Sequence, residues 1–244
     1  MIIASIRKQS LIEYPGKISA VIFLAGCNFR CRFCYVKQLV LPERIKEIKP
    51  ISEKEIFEFL KERKNFLEAV SLTGGEPTLN PELPDFIGKI KKMGYLVQLE
   101  TNGTNPKMLQ FLIDRKLIDY VAMDIKQDFV FEKWYEITGK VLTKELFENV
   151  KKSFNLLLEE KIDYEFRTTL VKEFHKKEDI VGICKKIGFR AENTKMKGYY
   201  LQNFEKTEGG TLSGKEFTSF SKEEIQEIIK EGKKYTDVKA RAYL

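Results

Sequence analysis

Runs of consecutive apolar residues alternate with amphipathic stretches along most of this chain, and that alternation limits it to a small group of folds. Residues 18–25 form the first such run, continuous enough for a strand buried on both faces of a parallel sheet. Further strands are predicted at 69–73, 95–100, 120–125, 164–171 and 196–202. Between them lie helix signals. Ser52 with Glu55 forms a capping box ahead of Ile56, Phe59 and Leu60, and Ser221 with Glu224 forms another ahead of a helix near 221–231. Asn80-Pro81 and Asn105-Pro106 each place an N-cap residue before a first-turn proline, and Gly94 after Met93 reads as a C-terminal stop. Other helices start near Lys144 and Lys176. Six strand–helix units predict an α/β fold whose parallel strands are joined by right-handed crossovers, two units short of a full eight-unit barrel.

The chain has 244 residues, enough for one sizeable core, and a single domain spanning 1–244 is expected. No apolar run reaches the roughly 18 residues that span a bilayer, so a soluble, cytoplasmic protein without a membrane partner is expected. Lys+Arg of 43 against Asp+Glu of 36 gives a net charge of +7. That charge is spread along lysine-rich helices rather than gathered in one tract, which reads as a solvated surface rather than a nucleic-acid site. No Walker loop or dinucleotide fingerprint occurs.

Chemistry concentrates in the loop after the first run, where Cys27, Cys31 and Cys34 follow a C-x3-C-x2-C spacing. Three thiolates in one loop suit a cubane cluster that wants four ligands, and the iron left open is where substrate chemistry can occur. A structural zinc site would need a fourth ligand from Cys184 or His175, both distant and without paired spacing. With no signal peptide recognised, the thiols are expected to be reduced. Cys184, at helical spacing from Ile183 and Ile187, reads as a buried structural thiol, and Trp134 and Tyr135 as ordinary packing. His175, among lysines, reads as exposed and without acid–base work.

Parallel α/β folds place their sites at the carboxyl ends of the strands, and polar groups recur there. The second strand ends in Gly74-Gly75-Glu76, the third in Glu100-Thr101-Asn102-Gly103, and the fourth in Asp124-Ile125-Lys126. The fifth carries Arg167-Thr168-Thr169, and the sixth leads to Phe204. Gln98, Glu100 and Asn102 share one strand face, as do Glu165, Arg167 and Thr169; buried without partners they would each cost several kcal/mol, so they must meet one another or a polar ligand. The loop 205–217, with Gly209, Gly210 and Gly214, reads as a flexible segment suited to a lid.

The cysteine spacing, with Phe33 before the last cysteine, resembles the radical S-adenosylmethionine (SAM) enzymes. The resemblance implies a partial, six-stranded (β/α) barrel of the TIM type and one 4Fe–4S cluster on Cys27, Cys31 and Cys34. In that family SAM chelates the open iron and is split by one electron into methionine and a 5'-deoxyadenosyl radical, and the resemblance implies the same here. It further implies that Gly74, Gly75 and Glu76 bind SAM's amino group, that Arg167 suits its carboxylate, and that Phe33 and Phe204 flank adenine. Tyr35, Glu100, Thr101, Asn102, Asp124 and Lys126 complete the cofactor-binding set. Within that family the segments at 10–17, 100–103, 123–126 and 166–169 are most similar to glycyl-radical-enzyme activases. Glu100 stands where those commonly have Asp, beside a cation position. The implied partners are a glycyl radical enzyme, foremost anaerobic ribonucleoside-triphosphate reductase, and an electron donor such as flavodoxin or ferredoxin. A small-molecule enzyme such as 7-carboxy-7-deazaguanine synthase is the alternative.

Overall fold

The computed structural model describes residues 1–159, 162–188 and 195–241. These form two compact units, each woven from more than one stretch of chain: Met1–Asn28, Val36–Thr101 and Asn105–Ala122 make the first, and Phe29–Tyr35, Asn102–Thr104 and Met123–Leu244 the second.

In the first unit, β1 (Ile3–Ser10), β2 (Ser19–Leu24), β3 (Ala69–Gly74) and β4 (Leu96–Thr101) lie side by side in that order. The β2/β3 and β3/β4 pairs are parallel, with Val21 beside Ser71 and Ser71 beside Gln98. Ile22, Leu24, Val70, Leu72, Val97 and Leu99 are fully buried, as expected for apolar strands inside a parallel sheet. β1 was not expected from the sequence. It runs antiparallel to β2, and Ser5, Arg7 and Lys8 among its residues obscure the apolar pattern that marks the other strands.

Two single-turn helices, α1 (Lys37–Val40) and α2 (Pro42–Ile45), follow the cysteine segment; α3 (Glu53–Glu62), α4 (Leu83–Lys92) and α5 (Pro106–Asp114) are longer. The capping box at α3 is present: Ser52 Oγ accepts from the Glu55 amide, and the Glu55 carboxylate accepts from the Ser52 amide. Buried Ile56 and Leu60 then face inward, and the Tyr95 hydroxyl donates to the Leu60 carbonyl at 2.6 Å. Asn105 caps α5 with Pro106 in the first turn, and Gly94 follows α4 at φ 81°, both as expected. The signal at Asn80-Pro81 is displaced, since a 3-10 turn at Pro77–Leu79 occupies that stretch and α4 starts only at Leu83.

β5 (Tyr120–Asp124) begins in the first unit and ends in the second. The second unit continues with α6 (Phe131–Ile137), α7 (Lys144–Glu159), β6 (Asp163–Leu170), α8 (Lys177–Ile187), β7 (Met196–Asn203), α9 (Lys222–Gly232) and β8 (Val238–Ala240). β6, β7 and β8 are adjacent and parallel. The α/β class with parallel pairing is therefore as expected, and β8 is an additional short strand. Trp134 is fully buried within T-shaped contact of Phe29 and Phe147, so it packs as expected. Cys184 is also fully buried, and burial pushes its thiol pKa up to about 12. No described helix is long and apolar enough to cross a membrane.

The two N-caps differ in what they hold. Ser52 serves only its helix, whereas Asn105 also donates its side-chain amide to the Thr78 carbonyl at 2.8 Å. Ser52→Ala should cost about 1 kcal/mol and Asn105→Ala about 2 kcal/mol, the usual span for a lost cap plus a buried hydrogen bond. Denaturant unfolding of both variants measures this; equal losses would deny the second role of Asn105.

Candidate active site

The cysteine segment leaves β2 through Gly26, whose φ of 102° is a conformation that side-chain-bearing residues rarely adopt. Its amide donates to the Leu39 carbonyl at 2.7 Å, and its carbonyl accepts from the Glu76 amide at 2.7 Å. Beside it, the Gly75 amide donates to the Leu24 carbonyl at 2.8 Å. These contacts carry the β2/β3 ladder past the strand ends and explain the glycine pair. A Cβ on Gly75 would stand 2.0 Å from the Gly26 carbonyl oxygen, and one on Gly74 2.4 Å from that of Leu24. No side chain fits either place.

This close approach fixes the position of Glu76. Its carboxylate is 1% exposed, and Oε1 accepts from the Thr78 amide at 3.1 Å, from the Thr78 hydroxyl at 2.5 Å and from the Thr101 hydroxyl at 2.8 Å. Glu100 is held by the Thr73 hydroxyl at 2.7 Å and by the Gln98 side-chain amide at 3.2 Å. Two carboxylates at the ends of β3 and β4 are thus oriented by hydroxyl and amide donors.

In the second unit, Phe29–Tyr35 is fastened along both edges. The Arg30 and Arg32 amides donate to the carbonyls of Thr138 and Ile137, each at 3.1 Å. Gly139 allows this approach, because a Cβ there would stand 2.1 Å from the Arg30 carbonyl oxygen. On the opposite edge the Leu212 amide donates to the Cys34 carbonyl at 2.7 Å, and that of Ser213 to Arg32 at 3.2 Å. The glycine-rich loop 205–217 is therefore fastened to the cysteine segment through its backbone. Inside the segment the Cys34 amide donates to the Cys31 carbonyl at 2.9 Å, which closes a tight turn between two of the thiols.

Cys31 is buried, while Cys27 and Cys34 are half-buried. Among the described residues no three His, Cys, Asp or Glu side chains converge as a single-ion site. Cys184 is enclosed in α8 and both ring nitrogens of His175 are hydrogen-bonded, so the two fourth ligands considered for zinc are committed elsewhere. A donor set of three thiols in one short segment, none of them in a disulfide, fits a cluster that spreads its ligands over separate irons.

His175 corrects the sequence reading: it is 2% exposed, not solvent-facing. Nδ1 accepts from the Val171 amide at 3.1 Å and Nε2 lies 2.8 Å from the Lys126 carbonyl, an arrangement that suits the neutral Nε2–H tautomer. Burial lowers its pKa, and the backbone contacts oppose this only in part. His175 therefore anchors the backbone of Lys126. The Lys126 ammonium is 2.6 Å from Asp124 Oδ2. Burial pulls the lysine pKa down, but Asp124 and the negative potential of Cys31 and Cys34 outweigh it and leave it above the ordinary lysine value.

The remaining predicted residues are placed as follows. Asn102 Oδ1 accepts from the Thr104 amide at 3.0 Å and hydroxyl at 2.7 Å. Arg167 Nε is bonded to Glu165, whose Oε1 also accepts from Arg241 Nη1 at 2.7 Å. Phe33 and Phe204 are buried and joined through Phe174 and Phe217 in one aromatic series, whereas Tyr35 is exposed. Arg241 and the anchoring role of His175 were missed from sequence, because neither lies in a local motif.

The radical SAM superfamily model matches residues 21–187. This chain belongs to the radical SAM superfamily. Membership implies a 4Fe–4S cluster and SAM, and makes the chain an enzyme. A Methanocaldococcus jannaschii protein, provisionally described as a glycyl-radical enzyme activating enzyme, is 33% identical over 97% of this chain and 93% of its own. A 7-carboxy-7-deazaguanine synthase from Aquifex aeolicus is 29% identical over 64% of this chain and 73% of its own. The solved structure of TYW1 with a lysine–pyruvate adduct matches 88% of this chain and 73% of that chain at 16% identity, TM-score 0.59. Streptococcus suis SuiB bound to SAM matches 90% of this chain and 51% of that one at 15% identity, TM-score 0.62. Both structures show the shared fold.

Two outcomes test this geometry. Gly75→Ala should destabilise the protein by about 2 kcal/mol or more by overpacking backbone against backbone, while Gly88→Ala, with 4.0 Å to its nearest neighbour inside α4, should be neutral or mildly stabilising. Similar melting curves for the two would contradict the close approach. Separately, the folded-state pKa of His175 lies below its unfolded value of 6.5, so the unfolded chain binds the extra proton. Its contribution is complete above pH 6.5 and is lost as pH falls through that value toward the folded pKa. His175→Gln should be less stable than the parent at pH 8, and that gap should narrow by pH 5; a gap that widens on acidification would exclude a neutral buried imidazole.

Proposed function

We propose that this radical SAM enzyme is a glycyl-radical-enzyme activase. It cleaves SAM reductively and removes a hydrogen atom from a glycine of a partner enzyme, foremost anaerobic ribonucleoside-triphosphate reductase. The observation that carries this reading is the likeness to the Methanocaldococcus jannaschii relative, which runs nearly end to end in both chains, whereas the synthase likeness covers 64% of this one. It acts in an anaerobic cytoplasm, with a donor such as flavodoxin or ferredoxin.

Cys27, Cys31 and Cys34 would hold the cluster, which when bound supplies the electron that splits SAM's sulfonium bond. The other residues bind and orient. Glu76, already fixed by Thr78 and Thr101, accepts from SAM's ammonium without reorganising on binding, and Gly74-Gly75, closed against the Leu24 and Gly26 backbone, holds the turn that presents it. Arg167 presents a planar fork suited to SAM's carboxylate. Glu100, Thr101, Asn102, Asp124 and Lys126 supply the polar rim around the methionine and ribose portions. Phe33, Phe204 and Tyr35 offer aromatic surface to adenine. A primary carbon radical tolerates no competing hydrogen source, so the donor must be held against it in an enclosed site. A glycine-bearing loop of a large partner supplies both donor and cover.

Anaerobically reconstituted protein should bind about four irons. Cys27→Ala, Cys31→Ala and Cys34→Ala should each abolish SAM cleavage, and Cys184→Ala should retain it. With a partner carrying deuterated glycine, label should enter 5'-deoxyadenosine and a glycine-centred radical should appear by electron paramagnetic resonance. Label arriving instead from a free heterocyclic substrate would establish the small-molecule reading, and cleavage persisting in Cys31→Ala would remove the cluster assignment.

A further inference from the structure

We propose that Arg241 is a positioning residue for the SAM-carboxylate site, acting through Glu165 to fix the guanidinium of Arg167. The inference rests on the reading of Arg167 above and extends it to a residue just past β8.

The placement begins with the backbone. β8 pairs with β7 in parallel, with Leu201 beside Ala240, and the Arg241 amide continues the ladder by donating to the Leu201 carbonyl at 2.9 Å. This brings a residue remote in sequence alongside β7, one strand away from β6, which carries both Glu165 and Arg167. Its side chain is only 12% exposed, unlike the neighbouring Lys239, and Nη1 reaches Glu165 Oε1 at 2.7 Å. That same oxygen takes Nε of Arg167. One carboxylate oxygen thus serves two guanidiniums from different strands.

Burying such a group is unfavourable unless its geometry is used. Glu165 and Arg167 are 2% and 5% exposed, so all three charged groups have given up most of their water, and each long side chain has lost rotamer freedom. As stability devices, buried ion pairs rarely exceed well-packed apolar residues of similar volume. As positioning devices they are effective. Glu165 and Arg167 stand two residues apart on one strand, hence on one face, where Glu165 alone could swing with its own rotamers. A second guanidinium, reaching across β7 from just past β8, fixes that carboxylate. Nε of Arg167 is then held from one side, and the plane of its fork is set before an α-carboxylate arrives.

The test measures SAM affinity of the reconstituted protein by equilibrium dialysis, with iron content and melting temperature recorded for each variant. Arg241→Gln should weaken SAM binding about tenfold at parental iron content, with a melting temperature lowered by the lost contact to Glu165 but still above the assay temperature. Arg241→Lys, which keeps a charge near Glu165 but loses the fork, should recover part of that loss and serves as the assay if the glutamine variant folds poorly. The double variant Arg167→Gln/Arg241→Gln should bind no worse than Arg167→Gln alone, since a residue acting through Arg167 has nothing left to position. Additive losses in the double variant, parental affinity in both Arg241 variants, or loss of iron in Arg241→Gln would each overturn the proposal. Parental affinity in Arg167→Gln would overturn the carboxylate site itself, whereas a weakened Arg167→Gln beside an unweakened Arg241→Gln removes only the positioning role.

Discussion

The contact of backbone on backbone between residues 24–26 and 74–76 governs how the first unit presents Gly26 and Glu76. Two parallel strands end, and in place of side chains the chain continues with amide-to-carbonyl bonds from Gly75 to Leu24 and from Glu76 to Gly26. Only glycine permits this, since a Cβ on Gly75 would overlap the Gly26 carbonyl. The entrance to the cysteine segment and the Glu76 carboxylate are thereby set at a fixed spacing by the sheet itself. Side chains could shift by a rotamer. Two consecutive backbone hydrogen bonds tied to a buried ladder cannot do so without unpairing the strands.

A polar interior of this kind is expensive, and its cost explains the density of hydroxyl donors nearby. Carboxylates removed from water lose several kcal/mol of hydration unless hydrogen bonds replace it. Thr73, Thr78 and Thr101 provide short hydroxyl bonds to Glu100 and Glu76, and threonine on a strand or turn does so with little rotamer freedom to lose. The second unit solves the same problem with opposite charges, pairing Asp124 with Lys126 and Glu165 with two arginines. His175 adds a neutral anchor to the Lys126 backbone, and burial that disfavours its charged form keeps it from adding another cation there. Hydroxyl donors and ion pairs alike fix orientation before any ligand arrives.

What could be read from the sequence was what is encoded locally. Capping boxes at Ser52 and Ser221 use residues three apart, the cysteine loop and glycine pair each lie within a few positions, and six strands carry enough apolar residues in a short stretch to stand out. The missed features depend on distant partners. β1 is buried only at its ends, Ile3 and Ser10, with charges between them, and β8 has three residues, too few for any period. Arg241 and Glu165 are separated by 76 positions, so nothing near either residue advertises their bond. His175 sits before Lys176 and Lys177 and reads as solvated, yet its surroundings come from Val171 and from Lys126, 49 positions away. Asn80-Pro81 was a true local signal overridden by the 3-10 turn directly before it.

The same division between local and distant information explains how a fold can persist when sequence does not. Three cysteines supply ligands, but the segment that carries them is shaped by donors and acceptors at Ile137, Thr138, Leu212 and Ser213, all more than a hundred positions away. Each of those contacts is made by backbone amides and carbonyls, which every residue but proline can provide in full. Substitution at such positions alters the side chain and leaves the contact. At Gly139, where a Cβ would meet Arg30, as at Gly74 and Gly75, the scaffold does demand a particular residue. A scaffold fixed by backbone contacts and a few glycines can therefore be shared at 15–16% identity with TM-scores near 0.6. The side chains on its strand ends remain free to differ, and it is those that must be tested in this chain.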